Sequence, residues 1–242
     1  MNTLLTLRFD GTSYHGWQIQ KSHASVCGTL KAAVEKTLGR AVTLHGCGRT
    51  DAGVHAEVYA ANFRGDCPVP HDRLPHALNS RLPRDIAVLS ACAVPDGFHA
   101  INSCLQKEYT YRVYTAPMRD PLRERRAYHY PYPADLTALR AAARAFTGTR
   151  DFACVRTMGT PVKSTVRTMT AFDVREREDM IEFVMRADGF LYNMARALAG
   201  TLLWAGEGKI TDIPALIASG DRAAAGPVLP AYGLYMTGVW YA

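Results

Sequence analysis

The sequence lacks several features that mark secreted, membrane-spanning and metal-binding proteins. Its six cysteines are scattered along the chain, and no two of them form a C-x-x-C pair. Because 242 residues can bury a core without covalent cross-links, we expect reduced thiols in a cytoplasmic protein. No apolar run approaches the ~18 residues of a membrane span. The N-terminal residues MNTLLTLRFD also lack the basic start and apolar core of a signal peptide.

Acidic residues are fewer than basic ones. The chain has 28 Lys and Arg against 22 Asp and Glu, which gives a formal net charge of +6 and a pI near 9.1. The excess is concentrated between Thr110 and Thr170, where 11 basic and 4 acidic residues leave a net charge of +7. This distribution is consistent with an anionic partner such as a nucleic acid, although a solvated basic surface has the same composition.

The most informative stretch is GCGRTDAGVHAEVYAANF, residues 46–63. Three glycines surround a single carboxylate, Asp51, and this spacing predicts a tight, shaped loop. The residues that follow alternate between apolar and polar side chains, which predicts a strand. We therefore expect Asp51 on a turn that leads into a sheet, with Arg49 close by. A carboxylate held there suits a nucleophile or a base, although an ordinary turn also explains an Asp among glycines.

The order of the predicted elements indicates an α+β protein. Residues 2–9 alternate as a strand does, and residues 25–39 predict a helix that Ser25 caps and Gly39 ends. We further expect a strand at 41–44, a strand after Asp51, a helix at 72–83, strands at 85–94 and 107–117, a helix at 134–148, a hairpin around Glu178 and Asp179, helices at 191–206 and 212–220, and a closing strand at 232–242.

The series contains two successive sets of strands and helices. These sets predict two RRM-like or ferredoxin-like halves, residues 1–97 and 98–242. We expect their sheets to join into one antiparallel sheet, with helices outside and a central cleft. Residues 150–164 have no periodicity and are expected to form a surface loop. The segment DGTSYHGWQIQ contains turn residues, and its Tyr14, His15 and Trp17 are expected to be exposed.

The string GRTDAGVHA closely resembles the signature loop of the TruA family of tRNA pseudouridine synthases. The catalytic nucleophile of that family is the Asp of this loop, so the resemblance identifies Asp51 as the nucleophile. It also suggests that Arg49 either serves Asp51 or takes the place of a flipped base in the RNA. The family has a similar D-G-x-x-[FY]-x-G-[WF]-Q segment after its first strand, which matches residues 10–18.

The resemblance continues at FHAINSCLQKEYTY, where the family has F-H-A followed by a [KR]-x-Y-x-Y strand. The first tyrosine of that strand contacts the target base, and here it is Tyr109. From the residues alone, a strand tyrosine with its ring in the core is the commoner interpretation. The sequence departs from the family at Ile101, where a basic residue is usual, and at Asn102, where an aromatic one is common.

A third match is GFLYNMARALAGTLLWAGEGK, which is similar to the family's F-x-[YH]-[NH]-M-[VA]-R helix. The arginine of that helix forms an ion pair with the catalytic carboxylate, which implies a pair between Arg196 and Asp51. A guanidinium suits this task because it can bind a carboxylate with two parallel hydrogen bonds. An arginine in a Leu-rich helix can also simply extend its head group to solvent.

One other motif predicts different chemistry. His55 and Glu57 form an H-x-E, which opens the zinc site of nucleobase deaminases. That site also needs a later P-C-x-x-C, and no cysteine pair has this spacing, so we expect no metal.

The resemblance covers nearly the whole chain and implies a function. It implies isomerisation of uridine to pseudouridine at positions 38 to 40 of the tRNA anticodon arm, without a cofactor, by a homodimer. The attack of Asp51 on uracil C6 or on ribose C1′ remains open. Two alternatives also remain: a synthase for other RNA sites, and an RRM-like RNA-binding protein without turnover.

Overall fold

The structure of the chain, a computed structural model, describes residues 1–159 and 161–242. The chain forms two compact units. Unit 1 comprises Met1–Leu105 and Met236–Ala242, and unit 2 comprises Gln106–Tyr235. The predicted division after residue 97 was based on a repeat in the order of elements, whereas these units are defined by their compactness. The predicted division therefore stays a prediction. Within the described residues, no helix is both long and apolar enough to cross a membrane.

Strands and helices are interspersed along the described part of the chain. The strands are β1 Asn2–Phe9, β2 His45–Gly46, β3 His55–Arg64, β4 Ile86–Val94, β5 Cys104–Tyr114, β6 Tyr128–His129, β7 Gly148–Asp151, β8 Val166–Arg177, β9 Met180–Ala187 and β10 Leu234–Tyr241. The helices are α1 Val26–Leu38, α2 Leu74–Asn79, α3 Leu136–Ala145, α4 Met194–Gly206 and α5 Ile213–Ser219. The predicted α+β class is confirmed, and most strand pairs are antiparallel.

In unit 1, β1 lies between β3 and β4 and pairs antiparallel with both. Leu5, Leu7 and Phe9 are buried while Arg8 is exposed, as the alternation predicts. The pairing of β1 with β3 changes register between Leu7 and Phe9. Such a bulge bends a strand locally, and this one lies just before the segment that follows β1.

Helix α1 has both of its predicted ends. The Ser25 side chain accepts a hydrogen bond from the Gly28 N–H at 3.2 Å, which satisfies one of the free amides of the first turn. Gly39 has a φ of 67°, and its N–H donates to the Glu35 carbonyl. This left-handed residue closes the helix as glycine commonly does.

Two element boundaries in unit 1 differ from the prediction. The strand expected at residues 41–44 is wrong, because these residues are irregular and strand pairing begins only at β2. The Val42 N–H donates to the Glu35 carboxylate at 2.9 Å and not to a strand. The expected helix at residues 72–83 is the shorter α2. Its last residue, Asn79, uses its side-chain amide to bond both the N–H and the carbonyl of Val88 in β4. These tertiary bonds fix both boundaries.

Unit 2 is built on an antiparallel sheet in which β5 pairs with β9, β9 with β8, and β8 with β7. The short β6 pairs in parallel with β5. The predicted hairpin is confirmed between β8 and β9, and Glu178 in its turn has a φ of 55°. Helix α3 packs on α4 and β8, and ten of the residues of α4 are buried.

The predicted surface loop at residues 150–164 is wrong for its first part. Residues up to Asp151 belong to β7, and a 3₁₀ turn follows at Ala153–Val155. Phe152 is fully buried and its ring stacks on Phe146 at 6.3 Å, so this part packs into the core of unit 2. Residue 160 lies outside the described residues.

Candidate active site

Asp51 lies on the turn that leads into β3, as the glycine spacing predicts. The turn is closed by a hydrogen bond from the Val54 N–H to the Asp51 carbonyl at 3.2 Å, and Gly53 has a φ of 82°. On the other side of the loop, the Cys47 N–H donates to the Ala60 carbonyl of β3 at 2.8 Å. The loop is therefore tied to β3 at both ends, while the Asp51 side chain stays partly exposed.

A second segment, residues 10–17, lies directly against the loop of residues 46–54; we call these the backing segment and the Asp51 loop. The Trp17 N–H donates to the Thr50 carbonyl at 3.3 Å, and the Gly53 N–H donates to the Tyr14 carbonyl at 3.2 Å. These backbone bonds bracket Asp51 along the chain. The position of the catalytic candidate thus depends on the backing segment.

Two glycines make this close approach possible. A Cβ at Gly11 would lie 1.9 Å from the Val54 carbonyl oxygen, and one at Gly16 would lie 2.1 Å from the Thr50 carbonyl oxygen. Gly16 also has a φ of 79°. Because both obstacles are backbone atoms, a side chain at either position would separate the two segments.

The expectation that the aromatic residues of the backing segment are exposed is wrong for two of them. Tyr14 and Trp17 are each only 6% exposed, whereas His15 is exposed as predicted. The Tyr14 hydroxyl donates to Asp85 at 2.7 Å, and the Trp17 ring packs on Tyr59 of β3 with a centroid distance of 4.4 Å. Aromatic rings are readily buried when their polar atom finds a partner, and local sequence does not reveal that partner.

Burial, together with the Asp85 carboxylate, raises the pKa of the Tyr14 phenol far above its usual value. The phenol is therefore a neutral hydrogen-bond donor at any physiological pH. The Tyr59 hydroxyl donates to the Gly48 carbonyl, which joins the core of β3 to the start of the Asp51 loop. Tyr59 thus ties the Asp51 loop to β3, and Tyr14 ties the backing segment to Asp85.

His55 is a further residue of the region. It is 2% exposed, and its Nδ1 accepts a hydrogen bond from the Gly11 N–H at 3.1 Å. Asp10 Oδ1 lies 3.0 Å from the same nitrogen. Within the described residues, no group of three or more His, Cys, Asp or Glu side chains could hold a metal ion.

Arg49 and Tyr109 have contrasting environments. Arg49 is exposed on the Asp51 loop. Tyr109, in β5 of unit 2, is 7% exposed and lies opposite Met185 of β9. Its ring meets Phe190 edge-on, with a centroid distance of 4.9 Å and an interplanar angle of 81°. Phe190 therefore fixes one side of the tyrosine ring.

Arg196 is held by its own unit at the start of α4. Its Nε donates to the Leu229 carbonyl at 2.6 Å, and its Nη1 donates to the Asn193 side-chain oxygen at 2.9 Å. Asn193, in the left-handed region with a φ of 59°, also donates to Thr157 at 3.1 Å. The guanidinium is thus oriented by fixed acceptors, which a side chain that merely extends into solvent would not require. Its ion pair with Asp51 stays a prediction.

Comparison with known proteins now decides the family. Residues 6–101 and 142–242 match the family model described as tRNA pseudouridine synthase. The chain belongs to the tRNA pseudouridine synthase family. The similar proteins named tRNA pseudouridine synthase A include that of Caldicellulosiruptor bescii, which is 42% identical over 242 residues and covers 99% of both chains. That of Ruminiclostridium cellulolyticum is 40% identical over 240 residues, with 98% of each covered. That of Bacillus velezensis is 40% identical over 246 residues, with 100% of this chain and 99% of the relative covered.

The matched ranges of the synthase family include three of the four predicted site residues. Asp51, Arg49 and Arg196 fall inside them, whereas Tyr109 falls between them. The full-length relatives span this interval as well. The assignment of Tyr109 therefore rests on the resemblance of the K-E-Y-T-Y pattern, and not on the family model.

Sequence reasoning missed the contribution of His55 and Tyr59 to the synthase fold. His55 was considered as part of the strand alternation, of the GRTDAGVHA string and of an H-x-E, and Tyr59 was given no role. The available signal was the alternation of β3, which places the two side chains on one face of the strand. What could not be predicted is that the backing segment covers that face.

The turn before β5 carries the departure from the family pattern. The His99 Nδ1 accepts from the Ile101 N–H at 3.3 Å, and the Ser103 N–H donates to the His99 carbonyl at 2.9 Å. Ile101 is 44% exposed on this turn. The His99 ring also lies 4.5 Å from that of His45, whose pKa is lowered by burial and by the nearby His99 and Arg64.

Proposed function

We propose that this synthase isomerises uridine at positions 38 to 40 of the tRNA anticodon arm, with Asp51 as the nucleophile. The observation that carries the proposal is the Asp51 loop itself. It holds one carboxylate within residues 46–54, on a turn that is hydrogen-bonded to β3 and to the backing segment. A catalytic group needs such a rigid support, because small displacements of a reacting atom lower the rate strongly.

The reaction requires that the target uridine leave the RNA stack, because its reacting carbons are not accessible within a helix. The Asp51 carboxylate then attacks either C6 of uracil or C1′ of ribose. The bond between N1 and C1′ breaks, the uracil turns, and a bond forms between C5 and C1′. C5 loses its proton, N1 gains one, and the carboxylate is released unchanged. Since no electrons are gained or lost overall, the residues need no redox cofactor.

Tyr109 is proposed to contact the flipped uracil. Stacking of a base on an aromatic side chain contributes ~1–3 kcal/mol. The edge contact with Phe190 supports this role, because it restrains the ring before the base arrives. A phenol close to the base can also take part in the transfer of the C5 proton.

The two arginines are proposed to act at different places. Arg196 pairs with the Asp51 carboxylate, and its bonds to Leu229 and Asn193 support this by fixing the direction of the guanidinium. Arg49, which is exposed beside Asp51, contacts the RNA or enters the space that the flipped base leaves. The net positive charge of the chain suits an RNA substrate, because phosphate contacts dominate the affinity of such complexes.

We further propose how the synthase assembles and which uridines it modifies. The synthase acts as a cytoplasmic homodimer that binds tRNA with both subunits, by the resemblance described above. A second candidate function is the modification of uridines elsewhere in RNA. Ile101 supports it, because this exposed position usually carries a basic residue in the family.

Mapping of the modified sites distinguishes these candidates. Unmodified tRNA transcripts with uridine at positions 38, 39 or 40 are incubated with wild type and with the Asp51→Asn variant. Pseudouridines are then located by carbodiimide adducts that stop reverse transcription. We expect stops at these three positions with wild type and none with the variant. Stops only at other uridines would contradict the assigned positions, and equal stops with Asp51→Asn would contradict the nucleophile.

A further inference from the structure

His55 faces two groups with a single ring nitrogen. Its Nδ1 lies 3.1 Å from the Gly11 N–H and 3.0 Å from Asp10 Oδ1. When Nδ1 accepts from the Gly11 N–H it carries no proton and the imidazole is neutral, whereas a proton on Nδ1 is donated to Asp10 instead. Either contact ties His55 to the backing segment, because Asp10 and Gly11 both belong to it. Asp10 Oδ1 is satisfied separately, because it accepts from the Thr12 N–H at 3.0 Å and from the Thr12 hydroxyl at 2.6 Å.

The hydrogen bond joins two parts of the chain that matter for catalysis. Gly11 is the second residue of the backing segment, and its position leaves no room for a Cβ against Val54. His55 follows Asp51 by four residues and is the first residue of β3. At the far end of the same contact, the Trp17 N–H donates a hydrogen bond to the Thr50 carbonyl. The imidazole thus fixes the near end of the contact between the backing segment and the Asp51 loop.

We infer that His55 is a positioning residue for the reaction: its Nδ1 holds the backing segment on the Asp51 loop and so sets the place of the Asp51 carboxylate. It does not itself touch the substrate. This inference rests on the proposed role of Asp51. The geometry supports positioning because the side chain is only 2% exposed and its Nδ1 contacts the Gly11 N–H and the Asp10 carboxylate of the backing segment, which packs on the Asp51 loop.

The positioning role requires a hydrogen-bond acceptor at the position that Nδ1 of His55 occupies. Asparagine offers its amide oxygen close to that place, whereas glutamine offers its amide close to the place of Nε2. Leucine fills the volume without any acceptor and leaves the Gly11 N–H unpaired. The three substitutions therefore separate the hydrogen bond from the packing of the ring.

The test measures single-turnover conversion of tRNA at saturating enzyme, tRNA affinity by filter binding, and the thermal midpoint of each variant. We expect His55→Leu and His55→Gln to lower the conversion rate about tenfold or more, because the carboxylate is misplaced. His55→Asn is expected to recover most of the wild-type rate. The tRNA affinity should change by no more than about twofold, since binding is dominated by phosphate contacts that His55 does not make.

The matched control is Asn79→Ala, which removes the two bonds between α2 and β4. It destabilises unit 1 without touching the backing segment, so its conversion rate should stay close to wild type. If His55→Leu does not fold, the comparison of His55→Asn with His55→Gln still tests the inference, because both side chains carry an amide.

Two results would overturn the inference. One is a wild-type conversion rate in folded His55→Leu or His55→Gln, and the other is an Asn variant no faster than the Gln variant. Failure of the proposed function has a different signature, because Asp51→Asn would then remain active. An inactive Asp51→Asn together with fully active His55 variants would remove only the positioning role.

Discussion

Arg196 shows how one residue can serve both structure and chemistry. Its Nε and Nη1 are used on Leu229 and Asn193. These bonds hold the start of α4 against the chain that precedes β10. A guanidinium oriented in this way loses little further side-chain entropy when it pairs with a carboxylate, as proposed for Asp51.

Arg196→Ala is therefore expected to have two effects. The loss of the ion pair proposed between Arg196 and Asp51 should lower kcat by about 10²–10³-fold. The loss of the bonds to Leu229 and Asn193 should lower the free energy of unfolding by about 1–3 kcal/mol. Steady-state kinetics and urea denaturation measure the two quantities.

Arg196→Lys is the matched control for this variant, because it keeps the charge but not the planar fork. Its kcat should fall between those of wild type and Arg196→Ala. A folded Arg196→Ala with wild-type turnover would contradict the role of the arginine in the reaction.

Single residues were predictable from the sequence where the cause is local. Ser25 and Gly39 end α1 because of their own side-chain and backbone chemistry, and both were predicted. Tyr14 and Trp17 were wrongly expected to be exposed. Their burial depends on Asp85 and Tyr59, which are distant in sequence, so no local pattern could predict it.

At the scale of elements, the contact between the backing segment and the Asp51 loop depends on the absence of a side chain at Gly11. Gly11→Ala would place a Cβ 1.9 Å from the Val54 carbonyl oxygen, so one of the two segments must move. We expect a loss of about 3 kcal/mol or more in the free energy of unfolding. Turnover should fall even in the folded fraction.

Gly97→Ala is the control for this prediction, because no atom lies within 4 Å of a Cβ at that position. Its free energy of unfolding should stay within about 0.5 kcal/mol of wild type. Calorimetry and turnover measurements on both variants test the contact. Equal stability and activity of Gly11→Ala and Gly97→Ala would show that the close approach has no importance.

The existence of the main elements was predictable, and several of their ends were not. The alternation of residues 2–9 and the helical spacing after Ser25 specify β1 and α1 directly. The end of α2 depends on the bond that Asn79 donates to Val88 of β4, and the start of β2 on the bond that the Glu35 carboxylate accepts from the Val42 N–H. Phe152 is buried because its ring packs on Phe146, which lies at the C-terminal end of α3. Part of the expected loop therefore belongs to the core.

At the scale of the whole molecule, the predicted site residues divide between the two units. Asp51 and Arg49 belong to unit 1, and Tyr109 and Arg196 belong to unit 2. Periodicity and turn chemistry describe one element at a time, so they could indicate each residue but not whether the four act together. That part of the prediction came from the family resemblance, and family membership is now established on 42% identity over the full chain.

The central claim is that this synthase breaks the C5–H bond of uridine in tRNA by means of Asp51. The most direct test is release of tritium from tRNA labelled at uridine C5, with wild type and with a folded Asp51→Ala variant that still binds tRNA. The formation of pseudouridine must release this tritium, whichever carbon is attacked first. We expect release by wild type and none above background by Asp51→Ala. Release by the variant at the wild-type rate, or no release by a wild type that binds the tRNA tightly, would contradict it.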